Sequence, residues 1–139
     1  MSFWLEIITG EQVLFQGEVD TVVAPATDGE IGVLPHHAPV MTTLDPGELR
    51  YTVGTEEAHY VVHGGFMDIR GDQVVVLADA AEDAREIDEA RADEAVRRAE
   101  DRLKSHDTEL NLERALASIR RAQLRVRVAR RRVRRIPSA

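Results

Sequence analysis

The hydrophobic residues of the first 80 positions come in nine short runs rich in β-branched side chains, such as FWLEII, TVVAPAT and QVVVLAD. Turn-forming groups such as TDGE, DPGE, HGG and RGDQ separate these runs at close spacing. Short runs with a turn signal every few residues are typical of an all-β sandwich or barrel. We therefore predict β structure throughout an N-terminal domain of residues 1–84.

After Ala80 glycine is absent, and apolar residues recur at alternating spacings of three and four. This is the narrow seam of a helix that packs against one partner helix. The polar stretch KSHDTEL separates a short seam from a long one. We predict an antiparallel hairpin of two helices, at about residues 86–104 and 109–135, in a C-terminal domain of residues 85–139. The seam positions are Ala92, Val96, Ala99 and Leu103, then Leu112, Ala115, Ile119, Ala122, Val126, Ala129 and Val133.

The net charge of −7 combines two parts of opposite sign. Residues 1–84 hold two cations and 15 acids, whereas residues 85–139 hold 16 cations and 10 acids. Nine arginines lie between Arg120 and Arg135, where no acid occurs. This asymmetry favours two modules and a final helix that attracts a polyanion or an acidic protein surface.

The sequence contains no recognisable catalytic arrangement of side chains. Cysteine is absent, and the four serines lie outside any nucleophile motif. His59 and His63 would share a strand face about 13 Å apart, too far for one metal ion. We therefore predict a non-enzyme without a metal site or catalytic cofactor, and histidines in loops or at the surface. No apolar stretch approaches the roughly 18 residues that would span a bilayer, so we expect no direct membrane insertion.

Four segments, in this order, resemble the epsilon subunit of the bacterial F-type ATP synthase: TDGEIGVLPHHAPV, HGGFMDIRGDQVVVLADAAE, EIDEARADEAVRRAEDRL and the closing arginine helix. The resemblance covers nearly the whole chain. It implies an α+β protein in the order β then α, with an antiparallel β-sandwich of about ten strands followed by the hairpin. It also implies a non-catalytic rotor subunit, peripheral at the cytoplasmic face of the bacterial plasma membrane.

The resemblance further implies partners for each part. The sandwich would join the gamma subunit to the c-ring, with Glu30 at the c-ring contact and His37 near gamma. The alternative for Glu30 is an ordinary solvated turn acid. An extended hairpin would inhibit ATP hydrolysis by meeting the beta and alpha subunits, with exposed ion pairs from the arginine helix. The candidate beta-subunit contacts are Arg127, Arg130, Arg131 and Arg134.

The stretch EIDEARA matches the segment [IL]-D-x-x-R-A with which several bacterial epsilon subunits bind ATP as a regulatory ligand. Asp88 and Arg91 would share a helix face, Arg121 and Arg125 could clamp a triphosphate, and Glu82 would accept from the adenine. Asp88 could equally be a charge at the helix N-terminus that pairs with Arg91. The candidate ATP-binding residues are Glu82, Ile87, Asp88, Arg91, Ala92, Arg98, Arg121 and Arg125.

Three other interpretations remain open at this stage. The hairpin could be a passive strut of the same stalk subunit, without nucleotide binding. The segment RRAQLRVRVARRRVRR could bind nucleic acid, although the acidic first half and the lack of aromatic stacking positions argue for no nucleic-acid partner. A small β-domain enzyme would need a catalytic constellation that the sequence does not contain.

Overall fold

The structure is a computed structural model that describes the backbone of residues 1–105 and 109–134, and the side chains of residues 1–104 and 112–131. A β-domain precedes two helices, as predicted. The strands are β1 (Phe3–Ile8), β2 (Val13–Val19), β3 (Thr21–Ala26), β4 (Gly29–Val33), β5 (Val40–Val53), β6 (Glu56–Arg70), β7 (Gln73–Ala78) and β8 (Ala81–Asp83); the helices are α1 (Glu89–Ser105) and α2 (Glu109–Arg134).

The strands pair in the order β2-β1-β7-β6-β5-β3-β4, with β8 also paired to β6. Every pair is antiparallel except β1 with β7, which is parallel. The prediction of a sandwich followed by a helical hairpin is therefore confirmed, with one parallel pair that local patterns did not indicate. A parallel pair depends on which distant strands become neighbours, and no local pattern records that choice.

The described residues form eight strands instead of about ten, because two pairs of sequence runs are continuous. PVMTTL and ELRYTV both belong to β5, and AHYVVH and GFMDIR both belong to β6. Each long strand bends where the ladder skips a residue, between Leu44↔Gly65 and Pro46↔His63. The described residues therefore have fewer strands than the sequence predicted, in the same fold.

The bend in β6 depends on glycine. Gly64 and Gly65 have φ values of 104° and 129°, in the region that other residues avoid. A Cβ on Gly65 would lie 2.1 Å from the carbonyl oxygen of Leu77. HGG is thus a bend inside a strand, with β7 packed directly against it, and the chain does not reverse there.

Both layers bury their inner faces in one core. Alternate residues of the strands point inward, as the period of two requires. On β1 these are Phe3, Leu5 and Ile7, while Leu49 and Tyr51 of β5 enter from the opposite layer. The remaining core side chains are Val19, Val22, Ala24, Val33, Leu44, Tyr60, Val62, Met67, Ile69, Val74, Val76 and Ala78.

The first helix begins three residues later than predicted. Asp83 caps a single 3-10 turn at Ala84–Glu86, and Ile87 then returns to an extended conformation. The side chain of Asp88 accepts a hydrogen bond from the backbone N–H of Arg91 at 3.1 Å, which starts α1 at Glu89. The predicted helix bounds leave a turn at residues 105–108; Ser105 belongs to α1, whereas residues 106–108 and the predicted end of the second helix at residue 135 lie outside the described residues.

The hairpin packs on the outer face of the sandwich. The described seam positions from Ala115 to Ala129 are buried against α1, as the spacing predicts. A second apolar stripe, Leu124 and Val128, is buried in a cluster with Val61 of β6 and Ile87. The helix α2 therefore buries two faces, one against α1 and one against the sandwich.

Candidate functional site

The site is built on the outer face of β6, where His59, Val61 and His63 alternate along the strand. Val61 is fully buried under α2, with the two histidines on either side of it. Each histidine lies beside an acid of the sandwich, and the same acid pairs with an arginine of α2. The junction between the two domains thus has an apolar centre flanked by two polar clusters.

The first cluster joins β8 to α2. Arg125 Nε donates to Glu82 Oε2 at 2.7 Å, and His63 Nε2 lies 3.7 Å from the same oxygen. Hydrogen bonding to His63 lowers the pKa of Glu82, burial opposes that change, and the hydrogen bond and charge of Arg125 lower it further. Glu82 is therefore a carboxylate at neutral pH, and it compensates the charge of Arg125.

Beside this cluster, an open groove of about 410 Å³ lies between the two helices. It holds three of the predicted ATP-binding residues, Arg98 from α1 and Arg121 and Arg125 from α2. Other wall residues were not among the predicted set: Arg102, Ser118 and His63 join Ala95, Ala99 and Ala122. Arg102 lies one helical turn after Arg98, a spacing that could have identified it. Cations from both helices make this groove suitable for a polyphosphate anion.

The remaining predicted ATP-binding residues do not line the groove. Ile87 and Ala92 are buried where the hairpin packs on the sandwich. Asp88 caps α1, and its Oδ2 atom lies 3.8 Å from Nε of Arg91, with both side chains mainly exposed. In this structure the EIDEARA segment therefore has the geometry of an ordinary capped helix start.

The second cluster joins β5 to α2. Arg131 donates to Glu48 Oε1 at 2.8 Å, and His59 Nδ1 lies 3.3 Å from Glu48 Oε2. Burial raises the pKa of Glu48, but the hydrogen bond and charge of His59 and the charge of Arg131 outweigh it, so the pKa is lowered. The expectation that the histidines lie in loops or at the surface is wrong for His59, which is 5% exposed. It occupies a strand face that α2 covers.

The second cluster extends to the predicted c-ring residue. Arg50 lies 3.5 Å from Glu48 and 3.2 Å from Glu30, which is 60% exposed. Glu30 belongs to β4, where it pairs with Pro25 of β3. His37 lies in the loop between β4 and β5, and its Nδ1 atom is 2.7 Å from the carbonyl oxygen of Ala38.

Two of the predicted beta-subunit contacts are held by acids in the folded state. Arg131 pairs with Glu48, as described above, and Arg130 donates to Glu89 of α1 at 2.8 Å. Arg127 is exposed on α2. The side chain of Arg134 lies outside the described residues.

Among the described side chains, those of residues 1–104 and 112–131, no three His, Asp or Glu groups are arranged to hold a metal ion. Neither described helix is long and apolar enough to cross a membrane.

Comparison with protein families identifies the class. Residues 2–84 match the beta-sandwich domain of the ATP synthase Delta/Epsilon chain, and residues 85–130 match the long alpha-helix domain of the same chain. Together the two matches span nearly the whole sequence. The chain belongs to the ATP synthase delta/epsilon family.

The relatives identify the epsilon type. The chain is 51% identical over 129 residues to the ATP synthase epsilon chain of Dehalococcoides mccartyi, covering 92% of each. It is 43% identical over 129 residues to that of Herpetosiphon aurantiacus, covering 93% of this chain and 95% of the relative. The resemblance read from the sequence is confirmed, and the chain is a non-catalytic subunit of the ATP synthase central stalk.

Solved structures agree on the fold. A chain of the Euglena gracilis mitochondrial ATP synthase, solved by cryo-EM as OSCP/F1/c-ring in rotational state 1, matches with a TM-score of 0.70 and 20% identity, covering 96% of this chain and 82% of that chain. A chain of the Tetrahymena thermophila mitochondrial ATP synthase central stalk and c-ring matches with a TM-score of 0.59 and 13% identity, covering 91% and 95%. At such identities the likeness supports the fold alone.

Proposed function

We propose that this chain couples the gamma subunit to the c-ring of a bacterial F-type ATP synthase, at the cytoplasmic face of the plasma membrane, and that its hairpin regulates ATP hydrolysis. ATP binds the folded hairpin and keeps it docked on the sandwich. When ATP is scarce, the hairpin extends, its arginines reach the beta and alpha subunits, and hydrolysis is inhibited. Glu30 and His37 contact the c-ring and gamma, respectively.

One observation carries the regulatory part of this proposal: Arg98 of α1 and Arg121 and Arg125 of α2 line one groove. The groove needs both helices side by side, so an extended hairpin does not possess it. A ligand that binds only the folded form stabilises that form by RT ln(1 + [L]/Kd), about 2.7 kcal/mol when the ligand is at 100 times its Kd. Nucleotide concentration would thereby set the fraction of docked hairpin.

The second candidate is the same stalk subunit with a passive hairpin. The pairs Arg125–Glu82, Arg130–Glu89 and Arg131–Glu48 support it, because they hold the hairpin without any ligand. In that case nucleotide would not change the hairpin, and the arginines of the groove would serve only docking and solubility.

Calorimetric titration of the chain with ATP and ADP separates the two candidates. The test variant is Arg121→Ala with Arg125→Ala. The matched control is Arg114→Ala with Arg120→Ala, which removes the same charge from exposed positions of α2 outside the groove. We expect saturable ATP binding, weaker ADP binding, loss in the test variant and retention in the control.

The opposite results favour the passive hairpin. The first is that the chain shows no saturable binding up to millimolar ATP. The second is that both double variants lose ATP binding equally, which would mean that only the overall charge of α2 matters. A parallel measurement of ATP hydrolysis by the assembled enzyme tests inhibition. Truncation after Ser105 should raise hydrolysis at low ATP and have less effect at high ATP.

A further inference from the structure

Arg125, a residue of the groove wall, already pairs with an anion of the protein, the carboxylate of Glu82, which does not itself line the groove. The carboxylate of Glu82 contacts two residues of the groove wall, Arg125 at 2.7 Å and His63 at 3.7 Å. Both carboxylate and guanidinium are about 30% exposed, so solvent screens this pair only partly. A phosphate group that approaches Arg125 therefore meets a cation whose charge is already compensated.

From this geometry we infer that Glu82 acts as an internal competitor of polyphosphate ligands: it pairs with Arg125 when no ligand is bound and lowers the affinity of the groove for a triphosphate. This inference rests on the proposed nucleotide-binding function. It differs from the role predicted for Glu82 by the sequence, in which the carboxylate accepts from the adenine and its loss weakens binding.

The wall of the groove offers the displaced carboxylate a second partner. His63 Nε2 already faces Glu82, and Nδ1 of the same ring is buried without a hydrogen-bond partner among the described residues. The His63 ring therefore stays beside the Glu82 carboxylate when Arg125 turns to the phosphate. The groove can then fill without leaving the carboxylate unpaired.

The arrangement has a consequence for regulation. Because Glu82 lies on β8 and Arg125 on α2, their pair docks the helix on the sandwich when no ligand is present. The Glu82 carboxylate thus supplies part of the stabilisation that a bound phosphate would give to the docked hairpin. The same contact therefore contributes to docking when no nucleotide is bound and lowers the affinity of the groove for nucleotide.

The test compares Glu82→Gln with the unchanged chain, using inorganic tripolyphosphate and ATP in calorimetric titrations. Glutamine keeps an oxygen that can accept from Arg125 but removes the competing charge. We expect tripolyphosphate to bind about fivefold more tightly, the change that corresponds to about 1 kcal/mol at 25 °C. ATP should gain less than tripolyphosphate if Glu82 also accepts from the adenine.

Glu89→Gln is the matched control. It removes the same charge from a carboxylate that also pairs with an arginine of α2, Arg130 at 2.8 Å, and neither Glu89 nor Arg130 lines the groove. Its affinity for tripolyphosphate should stay within about twofold of the original. A thermal melt without ligand completes the design. Glu82→Gln should lower the melting temperature and raise the affinity for tripolyphosphate. If Glu82 had only a structural role, the substitution would lower both the melting temperature and the affinity.

Two results would overturn the inference, and they are distinguishable. If the unchanged chain binds ATP through Arg121 and Arg125 but Glu82→Gln binds tripolyphosphate equally or more weakly, Glu82 does not compete and the proposed function stands. If neither chain binds either anion, both the inference and the nucleotide-binding function fail.

Discussion

Arg131→Gln should loosen the docked hairpin without unfolding the sandwich. Arg131 is on α2 and Glu48 is on β5, so their 2.8 Å contact exists only while the helix is docked. After the substitution Glu48 keeps His59 and Arg50 but loses its nearest donor. The carboxylate is only 7% exposed, so water does not replace the lost partner freely.

The size of the effect follows from burial. A hydrogen bond to a charged group contributes about 1.5–3 kcal/mol, and an exposed ion pair about 0.2–1 kcal/mol. Here the acid is buried but the guanidinium is 49% exposed. We therefore expect a loss of about 1–2 kcal/mol of docking free energy, which corresponds to a 5- to 30-fold change in the equilibrium between docked and undocked hairpin.

Amide hydrogen exchange measures this equilibrium directly, because α2 amides exchange when the helix opens locally. Peptides of α2 should exchange about 5- to 30-fold faster in Arg131→Gln, while peptides of β1 and β7 stay unchanged. Arg127→Gln is the control, since Arg127 is exposed on the same helix and has no ion pair among the described residues. Equal exchange in the two variants would refute the reasoning, because charge removal alone would then explain the effect.

Two further predictions concern the sandwich and the pH dependence of docking. Gly65→Ala should cost roughly 3–4 kcal/mol, because its Cβ would overlap the Leu77 carbonyl at an unfavourable φ; Gly10→Ala, with open space around it, should be nearly neutral in the same denaturant titration. The pKa values of Glu48 and Glu82 are lowered from 4.5 in the docked chain. Their stabilisation should therefore be present above about pH 4.5 and decline as the pH falls through the docked pKa values. Exchange of α2 amides at stepped pH checks this, and a Glu48→Gln, Glu82→Gln variant should respond less; an equal response would contradict it.

How much of the fold could be predicted depended on local periodicity. The period of two in QVVVLAD and the spacing of Ala115, Ile119 and Ala122 are properties of neighbouring residues, and both gave the right element. The bends at Asp45 and Gly64 resembled turns, because the residues that end a strand also permit a strand to bend. A local pattern does not indicate whether a strand continues to pair with the same neighbouring strand after the bend.

The sequence predicted the arginines of the groove, through the resemblance and through their spacing. It did not predict the acids that face the arginines of α2 across the domain junction. Glu82 meets Arg125 across 43 residues, and Glu48 meets Arg131 across 83. The sequence placed His59 in a loop or at the surface as the default for histidine, whereas in the structure it lies on the face of β6 that α2 covers.

The sequence by itself determined the order of a β-domain and a helical hairpin, the opposite charges of the two parts and the family, because periodicity, composition and motifs are written along the chain. The tertiary structure alone decided which acids hold which arginines. That choice depends on the rotation of α2 when Leu124 and Val128 bury themselves against Val61, which turns Arg125 and Arg131 toward Glu82 and Glu48. Rotation about a helix axis is set by packing against a distant surface, and no local pattern contains it.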